Sequence, residues 1–343
     1  MSRLALSGTT ALILLASSGV SLAQEVLRIS SWGGGWRDLI AETIAAKFTE
    51  NTGAEVEFIT GGTIDRLNQA QLAAGAPESD VTFTTAHVGW LYQNSGLFEP
   101  LDMSRLSNAD KLFDQAKISP GHVGVWSYVY TIVYVPDLVP DVRFDSWADL
   151  WSPALAGKIG LSDFDPSSII AATAKMEGLG IEDWRQATDK LKALKPNVRA
   201  YFPSDAASEQ LISTGETPVQ VMLSMMAHQL RDQGIDLEIV IPKEGAVLNM
   251  DAIGIMKGTD KLDLAYAFID AALDPEVQAK IVAIKKGGAT VEGVEVPPEV
   301  AALPGVFLTP EQWQSEAIYV DPQLRAEKLT EWRTWFSEEM IAN

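Results

Sequence analysis

The chain has 343 residues, with 26 Lys and Arg against 46 Asp and Glu, a net charge of −20 and no cysteine. A charge this negative repels phosphate backbones and argues against nucleic-acid binding through a basic groove. Zero Cys excludes disulfide scaffolds, thiolate zinc sites, iron–sulfur clusters and thiol nucleophiles. At 47% hydrophobic and 21% charged, the composition is that of a globular protein, long enough for one large or two ordinary domains.

Residues 1–23 read as a secretory signal peptide. Arg3 gives the positive start, Ala11–Ala16 the apolar stretch, and Ser21-Leu22-Ala23 the small-x-small pattern, placing the cut before Gln24. The apolar stretch falls short of the roughly 20 residues a membrane span needs. No Cys stands near the cut to carry a lipid, so the expected product is an exported, periplasmic, soluble protein without a lipid anchor.

The mature part opens with a strand, Val26–Ser30, and the loop Trp32-Gly33-Gly34-Gly35-Trp36. A helix follows with Ile40, Ile44 and Phe48 on one face, ending near Gly53, and Glu55–Phe58 alternates as a strand. This is the β–loop–α–β unit of a parallel sheet. A helix at Ile64–Ala74, a strand at Asp80–Thr84 and a helical stretch at Val88–Ser95 continue it. The β-branched and aromatic run Trp126–Val135 reads as a long strand.

The alternation then restarts. Strands are expected at Lys158–Ser162, Val198–Phe202, Pro218–Leu223, Leu237–Ile241 and Met250–Met256. Helices are expected from Pro166 and at Glu182–Leu194, Ala206–Ser213, Met225–Gln233, Leu262–Leu273 and Pro275–Ile284. A last helix carries Leu329, Trp332, Phe336 and Met340 on one stripe, a face that must dock on something. Two rounds of winding, separated near residues 131–136, predict two α/β lobes with a ligand between them, beyond the carboxyl ends of the strands.

Ser146-Trp147-Ala148-Asp149-Leu150-Trp151, then Gly157-Lys158 before a strand, in an exported α/β chain of this size, resembles the periplasmic spermidine/putrescine-binding proteins of ABC importers. Pro242-Lys243-Glu244-Gly245 followed by Met250-Asp251 is similar to a second block of that family. Thr52-Gly53, Asp80 opening a strand, and Lys195-Pro196-Asn197-Val198 stand in the family's order, so the likeness covers essentially the whole mature chain. The resemblance implies a type II periplasmic-binding-protein fold, each lobe a mixed, mainly parallel sheet flanked by helices, closing like a hinge over its solute. It implies a first lobe of residues 24–131 plus about 253–310, a second of 132–252, and a C-terminal helical segment, 311–343, packed on the lobes. The implied partners are a small-molecule solute and a membrane permease; the protein is expected to be a monomer without a cofactor or nucleic-acid partner.

Candidate ligand contacts begin with the glycine-rich loop. Gly33 and Gly34 let backbone approach a solute closely, and the helix after them offers N–H groups suited to an anionic group. The plainer reading is a strand-to-helix turn with one buried Trp. Trp32 matches the family's aromatic here, but Gly34 and Gly35 stand where a carboxylate and an aromatic are expected, with Trp36 the candidate replacement one residue later. Asp251 matches the family carboxylate that pairs with a ligand amine; the alternative is a strand-end turn cap. Asp163 and Asp165, with Ser167 beside them, lie in a loop entering a helix, where either carboxylate faces the cleft or Asp165 serves as the N-cap. Thr84 and Thr85 end a strand where family members present hydroxyls and aromatics. His87 reads as a surface residue or one behind the ligand's direct contacts.

Two departures concern the aromatic box that polyamine binders close around the methylene chain. Leu223 and Asn249 stand at the matching positions, pointing to a smaller or more polar solute, such as a zwitterion with one amine and one acidic group. The chemistry of enzymes finds little footing. His87, His122 and His228 are far apart, and no metalloprotease, P-loop, EF-hand or nucleophile-elbow motif occurs. Tyr128, Tyr130 and Tyr134 are not adjacent, unlike the tyrosines of ferric-binding relatives, and read as core or cleft wall. Met225-Met226 reads as core packing. The expectation is therefore the solute-binding component of an ABC importer for an amine-bearing, polyamine-like solute, and not an enzyme. A zwitterionic solute such as an amino acid or amino-phosphonate, a ligand sensor for a receptor, and more distantly a secreted hydrolase remain the alternatives.

Overall fold

The computed structural model describes residues 25–342; the expected signal peptide lies outside the described residues. The strands, in chain order, are β1 Val26–Ser31, β2 Glu55–Thr60, β3 Val81–Thr85, β4 His122–Tyr134, β5 Ile159–Ser162, β6 Val198–Phe202, β7 Val219–Leu223, β8 Glu238–Val240, β9 Ala246–Ile255 and β10 Ala317–Tyr319. They form one strongly curled mixed sheet in the order β2-β1-β3-β9-β4-β7-β5-β6, with β10 on β9 and β8 on β4. Pairing is parallel at the two ends, β2-β1-β3 and β7-β5-β6, and antiparallel through β3-β9-β4-β7 in the middle.

The middle strands make the molecule two-lobed. β9 is longer than the sequence pattern suggests, starting four residues before Met250, at Ala246; all of its residues are buried, so its opening run Ala246-Val247-Leu248 shows no polar alternation to mark the start. β4 and β9 pair as Val129↔Leu248 and Tyr130↔Val247. Val129 and Leu248 belong to one hydrophobic core, with Ile29, Ile44, Phe48, Phe83 and Phe268. Tyr130 and Val247 belong to a second, with Trp147, Ile159, Leu161, Ile170 and Trp332. β4 thus passes from the first core to the second between Val129 and Tyr130, where β9 reaches the second core through Val247, with Ala246 and Leu248 still in the first.

Local sequence explains the details that matter for the site. The helix after β1 keeps Ile40, Ile44 and Phe48 fully buried. A strict four-residue spacing drifts about 40° per step on an α-helix; here a π turn at Ala41–Ala45 joins the α segments Gly35–Ile40 and Ala46–Thr52 and takes up that drift. Gly53 ends the helix at φ 74°, the left-handed geometry a glycine permits. The stretch Glu182–Leu194 is not one helix but a 3-10 segment, Ile181–Ala187, running into a short α segment, Thr188–Lys192. The last helix, Pro322–Phe336, buries Trp332 and Phe336 in the second core, with Met340 following in a closing π turn.

The blocks that carried the family resemblance meet in space. Ser146 donates to the Glu244 carboxylate at 2.5 Å, the Trp147 backbone N–H donates to it at 3.1 Å, and the Trp147 indole donates to Gly245 O at 2.7 Å. Asn197 donates to Leu150 O at 2.7 Å and Ser152 O at 2.9 Å. Asp80, fully buried, accepts from Arg28 N at 2.7 Å and Thr259 Oγ1 at 2.8 Å, with Lys261 Nζ at 3.4 Å. These residues fasten loops to strands and take no part in the cleft.

Candidate functional site

The cleft between the lobes has a volume of about 910 Å³, near the top of the range for small-molecule sites. It opens where the parallel strands end. Trp32 follows β1, Thr85 ends β3, Phe164 and Asp165 follow β5, and Leu223 ends β7, the position at which open α/β sheets bind ligands. Tyr128, Tyr130 and Asp251, on the crossing strands β4 and β9, form its floor.

Asp251 is the central charged group. Its Oδ2 accepts from the Trp126 indole at 2.8 Å and its Oδ1 from the Tyr128 hydroxyl at 3.2 Å. Burial pushes its carboxyl up to about 7, against the stabilising pull of those two donors and of the Arg66 and Arg325 charges. Both donors are neutral, so the anion is held without a direct cation partner, a costly arrangement in a low-dielectric site.

An aromatic wall rises beside it. Trp36 stacks on Trp126 with centroids 5.3 Å apart and planes 9° from parallel, Trp126 stacks on Phe83 at 5.7 Å, and Trp32 tilts against Trp36 at 6.1 Å. Trp32 is fixed by its indole donating to Thr63 Oγ1 at 2.8 Å and by the Arg66 guanidinium 5.3 Å from its ring. Arg66 is itself buried, donating to Gly61 O, Ser30 Oγ and Phe83 O. Lys285 Nζ sits 4.5 Å over Trp36, so a side chain, rather than the six-residue helix end, supplies the positive charge at this loop.

The second lobe adds charges of its own. Asp165 accepts from Ser167 N at 3.1 Å and Ser167 Oγ at 2.6 Å, and it pairs with Arg325 of the helix Pro322–Phe336. Burial opposes ionisation of Asp165, but Arg325, His87 and these hydrogen bonds hold it down at about 2. His87, lowered to about 3 by burial and then by Arg325, is neutral, and its Nδ1 has no hydrogen-bond partner among the described residues. Asp205, at the start of the helix Asp205–Ser213, is raised to about 6 by burial and by Glu209 and Asp165. At the lip, Lys286 after the helix Pro275–Lys285 pairs with Asp232 on the helix Ser224–Asp232, joining the lobes.

Of the ligand contacts expected from the sequence, the cleft is lined by Trp32, Trp36, Thr85, Asp165 and Asp251; Leu223 lines it too, as do Met225 and Met226, against their reading as core packing. Gly33, Gly34, Thr84, Asp163, Ser167 and Asn249 are not among its lining residues. Gly34 instead holds the loop at φ 58°, ψ −139°, a glycine conformation that sets Trp32 and Trp36 on the same side. Thr84 and Asn249 are buried, and each leaves a polar atom, Oγ1 and Nδ2, without a partner among the described residues. Ser167 acts on Asp165, and the cap position of its helix is taken by Pro166. Another expectation is corrected: His87 is not on the surface but buried, and it lines the cleft. Tyr128 and Tyr130 are cleft wall as read, whereas Tyr134 packs on Phe144 away from it. Sequence reasoning passed over Asp205, Lys285 and Arg325 altogether, and did not place Leu329 in the cleft. Leu329 carried a signal, as the start of an apolar stripe on the last helix.

No group of His, Asp and Glu among the described residues could hold a metal ion, and no helix among them is long and apolar enough to cross a membrane. Two α/β lobes joined by crossing strands, with a deep cleft and a buried, cation-free carboxylate, define a protein that closes on a small solute. Residues 43–308 match the family of bacterial extracellular solute-binding proteins. The chain belongs to that family, a family of binding proteins and not of enzymes. Among relatives, it is 29% identical to a putrescine/cadaverine-binding protein of Pseudomonas aeruginosa, over 92% of each chain. It is 25% identical to a spermidine/putrescine-binding periplasmic protein of Escherichia coli, over 84% of this chain and 82% of that one. Its fold is similar to that of an ABC transporter structure from Clostridium perfringens, with a TM-score of 0.80 at 24% identity, over 92% of this chain and 99% of the other.

Proposed function

We propose that this chain captures a small diamine in the periplasm and delivers it to the membrane permease of an ABC importer. The observation that carries the reading is Asp251, a cleft carboxylate buried among neutral donors and raised to about 7 by burial. A solute ammonium would restore the charge partner it lacks, in a site dry enough for the pair to discriminate strongly. Asp205 and Glu209 give the second ammonium a pole in the second lobe, and Tyr128 and Tyr130 flank the path between with apolar and cation-accepting ring faces. The names of the P. aeruginosa and E. coli relatives support the same solute class. Because Asp251, at the lobe boundary, pairs with Thr85 of the first lobe's β3 while Asp205 stands within the second lobe, a solute bridging them favours the closed arrangement, and closure presents a single surface to the permease. The reading includes export by the leader at residues 1–23, no lipid anchor, a monomer, no nucleic-acid partner in keeping with the −20 charge, and lobes divided close to residues 131 and 252.

A second reading, a zwitterion with its acidic group toward Arg325, is favoured by one observation: Arg325 Nε and His87 Nδ1 have no partners among the described residues. Thermal shift and calorimetry with putrescine, spermidine and 5-aminopentanoate separate the two. Stabilisation by putrescine and little by the amino acid is expected; the reverse order would refute the diamine.

A further inference from the structure

Besides Asp232, which Lys286 pairs at the lip, the cleft holds three centres of negative charge: Asp251 on β9, Asp205 with Glu209 on the helix Asp205–Ser213, and Asp165 after β5. They differ in what they face. Asp251 meets two neutral donors. The neighbouring charges acting on Asp205 are those of Glu209 and Asp165, both negative. Asp165 alone is already matched by a cation of the chain itself, Arg325, in an ion pair whose side chains are each 8% exposed.

Arg325 arrives from a distant part of the sequence, on a helix that Trp332 and Phe336 fix in the second core. It is also central to the cleft. Its charge reaches Asp251 and the hydroxyls of Tyr128 and Tyr130 as well as Asp165. A solute ammonium seeking Asp165 has to displace a tethered guanidinium and leave it buried beside the neutral His87, and stranding one partner of a buried pair is strongly unfavourable. With Asp165 so occupied, two centres remain for the solute.

We propose that Arg325 is a built-in cation that fills the third carboxylate position of the cleft, so that the protein selects diamines and discriminates against triamines. The proposal rests on the amine-binding reading above and adds the residue that sets the number of charges accepted. Its logic is exclusion: the guanidinium adds nothing for a diamine but repels and blocks a third ammonium.

The test is calorimetric affinity for putrescine and spermidine in the wild type, Arg325→Gln, and the double variant Asp165→Asn/Arg325→Gln. Wild type should prefer putrescine by about tenfold or more, and Arg325→Gln should move the ratio about tenfold or more toward spermidine, because a freed carboxylate now accepts the third ammonium. In the double variant, which frees no carboxylate, the ratio should remain close to that of the wild type. Equal or tighter binding of spermidine by the wild type overturns the proposal. So does an unchanged ratio in a folded Arg325→Gln protein, or a double variant that gains spermidine as the single one does. Should Arg325→Gln not fold, the wild-type ratio and the double variant still decide the matter. Failure of the underlying reading looks different, since neither amine would then bind the wild type at all.

Discussion

Replacing Asp251 by Asn should make the empty protein more stable while removing most of its affinity for an amine. The carboxyl stands at about 7 in the folded chain against an ordinary 3.8, and each unit of such a shift corresponds to about 1.4 kcal/mol, so holding this group ionised costs the fold about 4 kcal/mol at alkaline pH. The folded value is the raised one, so this group's contribution to stability is fully kept below about pH 4 and is lost as the pH climbs through about 7. Asn removes the charge but keeps an acceptor for the Trp126 indole, losing part of what the anion gained from its donors. A net gain of about 1–3 kcal/mol is expected near pH 8, and almost none near pH 4. Binding should weaken by about 2–5 kcal/mol, the usual consequence of deleting one partner of a buried charge pair, or roughly thirtyfold to a few thousandfold. Wild-type affinity should also fall by about tenfold per pH unit below about 7, as protons compete with the ammonium for Asp251, and the variant's affinity should be flat there. Calorimetric titration with putrescine and thermal unfolding from about pH 4 to 8.5 measure all of this. A variant that binds within about threefold of the wild type, or that is less stable than it at pH 8.5, would refute the reasoning.

Trp36→Ala removes the ring that stacks on Trp126 and carries Lys285 Nζ over it, loosening the indole that donates to Asp251, and should weaken amine binding by about 2–10-fold, the worth of one aromatic stacking pair. Gly34→Ala forces a side chain into φ 58°, ψ −139° and should cost about 1–3 kcal/mol in chemical denaturation, with a loss of affinity as Trp32 and Trp36 shift. Glu244→Ala leaves Ser146 Oγ and Trp147 N–H without their acceptor and should lower stability by about 1–3 kcal/mol. Because Glu244 is not in the cleft lining, putrescine affinity measured well below the unfolding temperature should stay as in the wild type.

Secondary structure was legible wherever the local pattern answers to one core. Ile40, Ile44 and Phe48 face a single hydrophobic layer, and their spacing announces the helix even though a π turn interrupts it. β9 was legible only in its second half, since a strand buried between two cores has no polar alternation to mark its start. Asp251 could be found because it sits in a recognisable block, and Trp32 because it ends a strand before a glycine loop. Asp205, Lys285 and Arg325 could not, because each is an ordinary charged residue on an amphipathic helix until the lobes come together. The burial of His87 was hidden for the same reason: the helix Ala86–Asn94 has a weak apolar bias, and only packing against the helix Pro322–Phe336 shows which face is covered. Meanwhile the motifs that signalled kinship, Ser146-Trp147, Glu244-Gly245 and Asn197, proved to be the fastenings of the second lobe.

The cleft takes Trp32 from one end of the described chain and Arg325, Leu329 and Arg333 from the other. Assembly of the site therefore needs contacts between distant parts of the sequence, Lys285 over Trp36 and Arg325 against Asp165 among them, each of which costs loop-closure entropy. A partly folded chain, whichever lobe it has completed, offers an amine only half a grip. The solute can act as a thermodynamic check on the finished tertiary structure alone, rewarding the complete chain and no fragment of it.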